Sequence, residues 1–179
     1  MRTASLVLVA YFSCVILGAV WRLMPWAIHD AVPDLGALTA AYLGLTARRN
    51  VTPAVGGSVM LGYFVDLISG SPPGLMALVL GLTCVIARAI QQRIYVRGAT
   101  MTIGFSAFVA LVAGLLAIVV RGIYHVPSAR MGVELRNLAL VAVATGVIGP
   151  FVWRIFRRID AAYARTARER DAALEGLAP

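Results

Sequence analysis

Lysine is absent from this 179-residue chain, and all 16 of its basic residues are arginine, a bias read here as genomic composition rather than as chemistry. Acidic residues are scarce as well, eight in all, and charged residues of both signs reach only 13% of the sequence. Set against 60% hydrophobic residues and a mean hydropathy of +0.85, so little charge is outside the range of an ordinary soluble domain and indicates an integral membrane protein.

Further absences narrow the function. The net charge is +8, but the arginines are parcelled between apolar segments, which leaves no basic amphipathic surface for nucleic acid. Cys14 and Cys84 both fall inside apolar runs, where a thiol behaves as a small hydrophobe, so no disulfide framework is expected. No serine, histidine and base occur in a recognisable order, and no paired carboxylates or metal-ligand spacing is present, so no enzyme, metal or cofactor is expected. His29, Asp30 and Asp34, and separately His125, read as solvated residues rather than ligands. No segment outside the apolar runs is long enough to fold as a second domain. No small-residue cleavage site follows the first run before Trp21 and Arg22, and Tyr11-Phe12-Ser13-Cys14 makes a poor lipoprotein box, so that run reads as a retained anchor.

What is present is a series of six apolar runs, most near the roughly 20 residues that a bilayer core requires. They cover about 4–21, 33–47, 53–69, 73–90, 99–120 and 133–153; the fifth carries no charge, and the second is short. If all six cross, Arg2, Arg48, Arg49, Arg88, Arg93, Arg97 and the arginines from Arg154 onward share one side, leaving Arg22, Arg121, Arg130 and Arg136 opposite. The positive-inside rule makes the crowded side cytoplasmic. The expectation is an all-α integral membrane bundle of about six transmembrane helices with both termini cytoplasmic, residues 1–153 forming the membrane domain and 154–179 a basic cytoplasmic tail. Trp21 and Trp26 near one boundary, with Tyr95 and Trp153 near the other, fit interfacial belts. The tail reads as a helix leaving the membrane, with Ile155, Ile159 and Tyr163 on one stripe and arginines that touch anionic lipid.

Asp66 stands inside the third run, where an uncompensated charge costs roughly 2.5–3.5 kcal/mol. Ala54, Ser58, Gly62, Asp66 and Gly70 recur every fourth residue and share one helix face, and small residues at that spacing let helices approach closely in lipid. Asp66 is therefore expected to point into protein. Arg22, Arg121 and Arg136 are candidate partners, as are hydroxyls such as Ser69 and free amides at a nearby helix start. Three roles are open to the carboxylate: a proton relay, which would need a second acid at similar depth that no other apolar run supplies; a ligand-binding group in a small-solute receptor; and, as the preferred reading, packing or partner geometry. Ser69-Gly70-Ser71-Pro72-Pro73-Gly74 then predicts a tight hairpin between the third and fourth runs. Comparable small-residue stripes are Gly36, Ala40 and Gly44, then Ser106, Ala110 and Gly114, then Ala142, Gly146 and Pro150.

The block from Gly62 through Asp66, Ser69, Gly70 and Gly74 to Leu75, with Pro33-Asp34 heading an apolar helix and a turn at Arg48-Arg49, resembles the MreD family of bacterial rod-shape-determining membrane proteins. The resemblance covers about 31–120. It implies a non-enzymatic scaffold in the bacterial inner membrane that works in side-wall peptidoglycan synthesis. The implied partners are an MreC-like bitopic protein and, directly or through it, a SEDS glycosyltransferase and a penicillin-binding transpeptidase. The implied core element is Asp66, Ser69, Gly70 and Gly74, with Pro33 and Asp34 secondary. This chain departs from the family in a second run rich in glycine and alanine rather than large aliphatics.

An alternative of another class is the substrate-binding membrane subunit of an energy-coupling-factor vitamin transporter. It would need Trp26, His29, Asp30, Tyr124 and His125 to converge on a pocket. The first run, with Ala10, Cys14 and Gly18, lacks the alanine pattern by which such subunits meet their transporter.

Overall fold

The computed structural model describes residues 2–23, 32–47, 51–92, 98–125 and 130–175. These form six helices and no strand: α1 (Arg2–Leu23), α2 (Leu35–Thr46), α3 (Thr52–Ser69), α4 (Leu75–Gln91), α5 (Ala99–Ile123) and α6 (Met131–Glu175). Each apolar run has become a helix. Their ends follow local chemistry: the Asp34 side chain caps α2, Pro53 occupies the first turn of α3, and Gly70 closes α3 in the left-handed region at φ 65°.

The helices alternate in direction. Thr3 and Val7 of α1 lie beside Gly57 near the start of α3, as does Leu43 near the end of α2. Gly36 and Gly44 of α2 meet Leu80 and Ala87 of α4 in the same order along the chain, so these two run parallel. Along α5 and α6 the order is reversed, with Ala107 beside Gly146 and Leu138 beside Gly114. Ser5 Oγ and the Tyr163 hydroxyl share a hydrogen bond, which brings the beginning of α1 and the far part of α6 to one end of the bundle.

Several polar side chains are turned inward while many large apolar ones face outward, unlike a soluble protein. Thr39, Ser58, Asp66, Thr83, Ser106 and Thr145 are buried, whereas Phe12, Ile16, Val119, Val147 and Phe151 are exposed. An apolar exterior of this kind requires lipid around it. By length and composition, 3 helices can cross a bilayer unaided, over Thr3–Val20, Thr100–Ile123 and Met131–Arg165.

The short second helix has a different situation. At 12 residues it is about 18 Å long, well short of a hydrocarbon core of about 30 Å, and every residue from Leu35 to Leu45 is buried. It touches all five other helices. Enclosed by protein, α2 needs small residues that admit its neighbours rather than aliphatics that suit lipid. A Cβ at Gly44 would strike the Cys84 carbonyl and lie 3.3 Å from the Ala87 methyl. This explains the glycine and alanine content of the second run.

The sixth run and the tail are one helix. It passes through Pro150, whose ring supplies no N–H for the Gly146 carbonyl one turn earlier. Its inward stripe is rotated from the expected one. Val152, Trp153 and Phe156 are buried and Ile159 packs against them, while Ile155 is 38% exposed. The reason is Tyr42 of α2, whose ring meets those of Trp153 and Phe156 at centroid distances of 5.6 and 5.1 Å.

Candidate functional site

The polar centre of the bundle is the hairpin formed by α3 and α4. Three successive small residues on one face of α3, Ala54, Ser58 and Gly62, lead to Asp66, which is 1% exposed. Opposite it the chain leaves Gly74 at φ 99° and starts α4, whose N-cap has no side-chain partner of its own. Helix starts leave N–H groups unpaired, and these point toward α3. Asp66 Oδ2 accepts from Gly74 N at 3.0 Å and, more weakly, from Ala77 N at 3.4 Å, while Met76 N reaches both oxygens at 3.0 and 3.1 Å. The carboxylate of one helix thus caps the next.

Gly62 makes this reach possible. Any Cβ there would fall 2.5 Å from the Ala77 Cα and 2.6 Å from its nitrogen, so only a glycine lets the start of α4 settle one turn from Asp66. Ser58, one turn further, is fully buried and donates to the Ala54 carbonyl at 2.9 Å. The expected stripe of Ala54, Ser58, Gly62 and Asp66 is therefore the buried face of α3. Gly70 departs from it, since it is exposed and serves to end the helix.

Of the candidate partners for Asp66, the structure selects the amides. All four contacts to the carboxylate come from backbone N–H groups, and no arginine among the described residues takes part. Ser69 is likewise outside this cluster: it is exposed and donates to the Val65 carbonyl at 2.8 Å. The helix start supplies partial positive charge as well as donors, which is why a carboxylate can be held there without a counter-ion.

A second acid repeats the arrangement. Asp34 is partly buried rather than solvated; its Oδ1 accepts from Ala37 N at 2.8 Å, and its own N–H donates to Thr145 Oγ1 at 3.0 Å. Pro33 is buried beside it, and its carbonyl accepts from Leu35 N at 3.1 Å. Thr145 was not legible as a site residue. It lies 111 positions away on α6, and a threonine in an apolar helix carries no signal of its own. Tyr42 was missed for the same reason: its hydroxyl donates to Asp160 Oδ2 at 2.6 Å, tying α2 to the extension of α6.

Apart from Ser106, whose Oγ has no partner among the described residues, buried hydroxyls elsewhere bond within their own helices. Thr39, Thr83 and Thr145 donate to the Leu35, Val79 and Val141 carbonyls at 2.7, 2.8 and 2.6 Å. What the polar interior does is therefore hold helices in place.

With this geometry in view, comparison with family models is decisive. The model described as rod shape-determining protein MreD matches residues 2–159. The chain belongs to the MreD family. The match extends well beyond the 31–120 block that carries the resemblance, reaching from α1 to the part of α6 that contains Trp153 and Phe156. No curated protein and no solved structure matches this MreD-family chain. Membership makes it a rod-shape-determining membrane protein, of a family known for structural work in cell shape and not as enzymes.

The vitamin-transporter alternative gains no support. Tyr124 and His125 are exposed at the end of α5, with His125 Nδ1 2.9 Å from the Ile123 carbonyl. Trp26, His29 and Asp30 lie outside the described residues, as do Arg48, Arg49, Arg93, Tyr95 and Arg97.

Proposed function

We propose that this MreD-family chain is a non-enzymatic scaffold of the cell-elongation complex, holding an MreC-like bitopic protein in the inner membrane. Through that protein, or directly, it engages a SEDS glycosyltransferase and its penicillin-binding transpeptidase during side-wall peptidoglycan synthesis. The observation that carries this reading is the use made of the buried polar groups. Asp66, Asp34, Tyr42 and Thr145 each fasten one helix to another or cap a helix, the economy of a rigid frame rather than of a reaction centre.

In this reading the end of the bundle that carries Ser5, Tyr163 and the arginines from Arg154 onward faces the cytoplasm, as the positive-inside rule requires. Asp66, Ser69, Gly70 and Gly74, with Ser58 and Gly62, fix the α3–α4 hairpin so that the outer surface keeps one shape for its partner. Pro33 and Asp34 do the same for α2.

The test is depletion of the full-length protein in its rod-shaped host, combined with affinity purification of a tagged copy from gently solubilised membranes. Rounding of the cells and recovery of an MreC-like protein are expected. Cells that stay rod-shaped, with no such protein recovered, would remove the proposal. Purified protein that retained a vitamin instead would favour the transporter class.

A further inference from the structure

One groove in the molecule is used by neither hairpin nor frame. It has a volume of about 760 Å³ and lies between the start of α5 and the middle of α6. Its α6 wall changes character along the helix, from exposed apolar Val147 and Phe151 to Trp153 and then to Arg154, Arg157 and Arg158. From Val147 to Arg158 is about 16 Å of helix, so one wall spans apolar depth and charged rim.

Several independent features give the charged end an appetite for an anion. Arg154, Arg157 and Arg158 stand at i, i+3 and i+4, so like charges crowd one face. Arg157 lies over the Trp153 ring at 6.0 Å, and none of the three pairs with an acid among the described residues. Asp160, the nearest acid in sequence, takes the Tyr42 hydroxyl instead. Across the groove, Gly98 opens α5 with no side-chain cap, leaving the first amides of a 25-residue helix without a side-chain acceptor among the described residues. The Trp153 indole N–H, in a side chain 5% exposed, also has no acceptor among the described residues.

We infer that this groove is a binding site for an anionic phospholipid. The phosphate sits between the α5 start and Arg154, Arg157 and Arg158, and an acyl chain lies along Val147 and Phe151. The apolar half of the wall selects a lipid over free phosphate, and the cationic half selects an anionic over a zwitterionic headgroup. The site does not depend on the scaffold reading, because it needs only the α5–α6 groove and the surrounding bilayer.

The experiment is native mass spectrometry of the full-length protein in detergent, titrated with phosphatidylglycerol, with phosphatidylcholine of the same chains, and with inorganic phosphate. A preference of about tenfold or more for phosphatidylglycerol over phosphatidylcholine is expected. Replacing one surface arginine should weaken phosphatidylglycerol binding about five-fold, so the pair Arg157→Gln and Arg158→Gln together should lose about 25-fold. Trp153→Phe, which keeps an aromatic ring but removes the indole N–H, should also weaken it, whereas Arg121→Gln at the other end of the bundle should leave it unchanged. Equal binding of the two lipids, unaltered binding by the double variant, or displacement of the lipid by inorganic phosphate at matching concentration would each overturn the assignment.

Discussion

Asp66 and Gly74 face each other across the α3–α4 turn, the carboxylate of the first accepting the backbone N–H of the second at 3.0 Å. Eight residues separate them in the chain, so one side chain both closes the hairpin and starts the next helix. Asp66→Leu should leave several donors at the start of α4 unpaired in a dry site, costing about 2–4 kcal/mol. Asp66→Asn keeps an acceptor and loses the charge, and about 1 kcal/mol is expected. Thermal unfolding of the purified variants in one detergent checks both values; equal stability of Asp66→Leu and the parent chain would contradict the capping role.

Gly62 and Gly56 offer a matched pair on α3. A methyl at Gly62 would run into the backbone of α4, whereas Gly56 has open space around it. Gly62→Ala should destabilise by about 1–3 kcal/mol through overpacking. Gly56→Ala should be neutral or stabilising by up to about 1 kcal/mol, because alanine is the better helix former. Ser58→Leu fills the same buried face and should lower the yield of folded protein along with recovery of any partner. Trypsin resistance in detergent reads the order of the variants.

Thr145 serves as acceptor for the Asp34 N–H while donating to Val141. Thr145→Val has the same shape without the oxygen and should cost about 1–3 kcal/mol by leaving a buried amide unpaired. Thr145→Ser keeps the oxygen and should cost distinctly less. Hydrogen exchange at the Asp34 amide, faster in the valine variant alone, locates the effect.

Tyr42 and Asp160 tie the innermost helix to the extension of α6. Tyr42→Phe should cost about 1.5–3 kcal/mol, the range for a hydrogen bond to a charged group. Adding Asp160→Asn should then cost less than it does alone, which a double-mutant cycle on unfolding measures. Strict additivity would show that the two side chains do not act as a pair.

Much of the architecture was legible before any coordinates. The helices begin and end within about three residues of the apolar runs, except for α6 and its tail, because burial in lipid demands consecutive apolar residues and so writes itself locally. The α3 stripe and the turn at Gly70 to Gly74 were readable for the same reason, being properties of neighbours four residues apart or fewer. The partner of Asp66 was not. Arginines and amides both satisfy a carboxylate, and nothing in the chain says which of them folds alongside it. Thr145 and Tyr42 escaped notice because their partners are 111 and 118 positions away.

Composition and periodicity alone established a six-helix membrane protein with a close-packed third helix carrying one acid, since those features depend only on residues adjacent in the chain. Tertiary structure alone decided that the amides at the head of α4 hold that acid, that the short second helix is small-sided because protein surrounds it, and that the buried stripe of α6 is rotated toward Tyr42. Each of these depends on which distant segments meet, and packing in three dimensions settles that where local preference is silent.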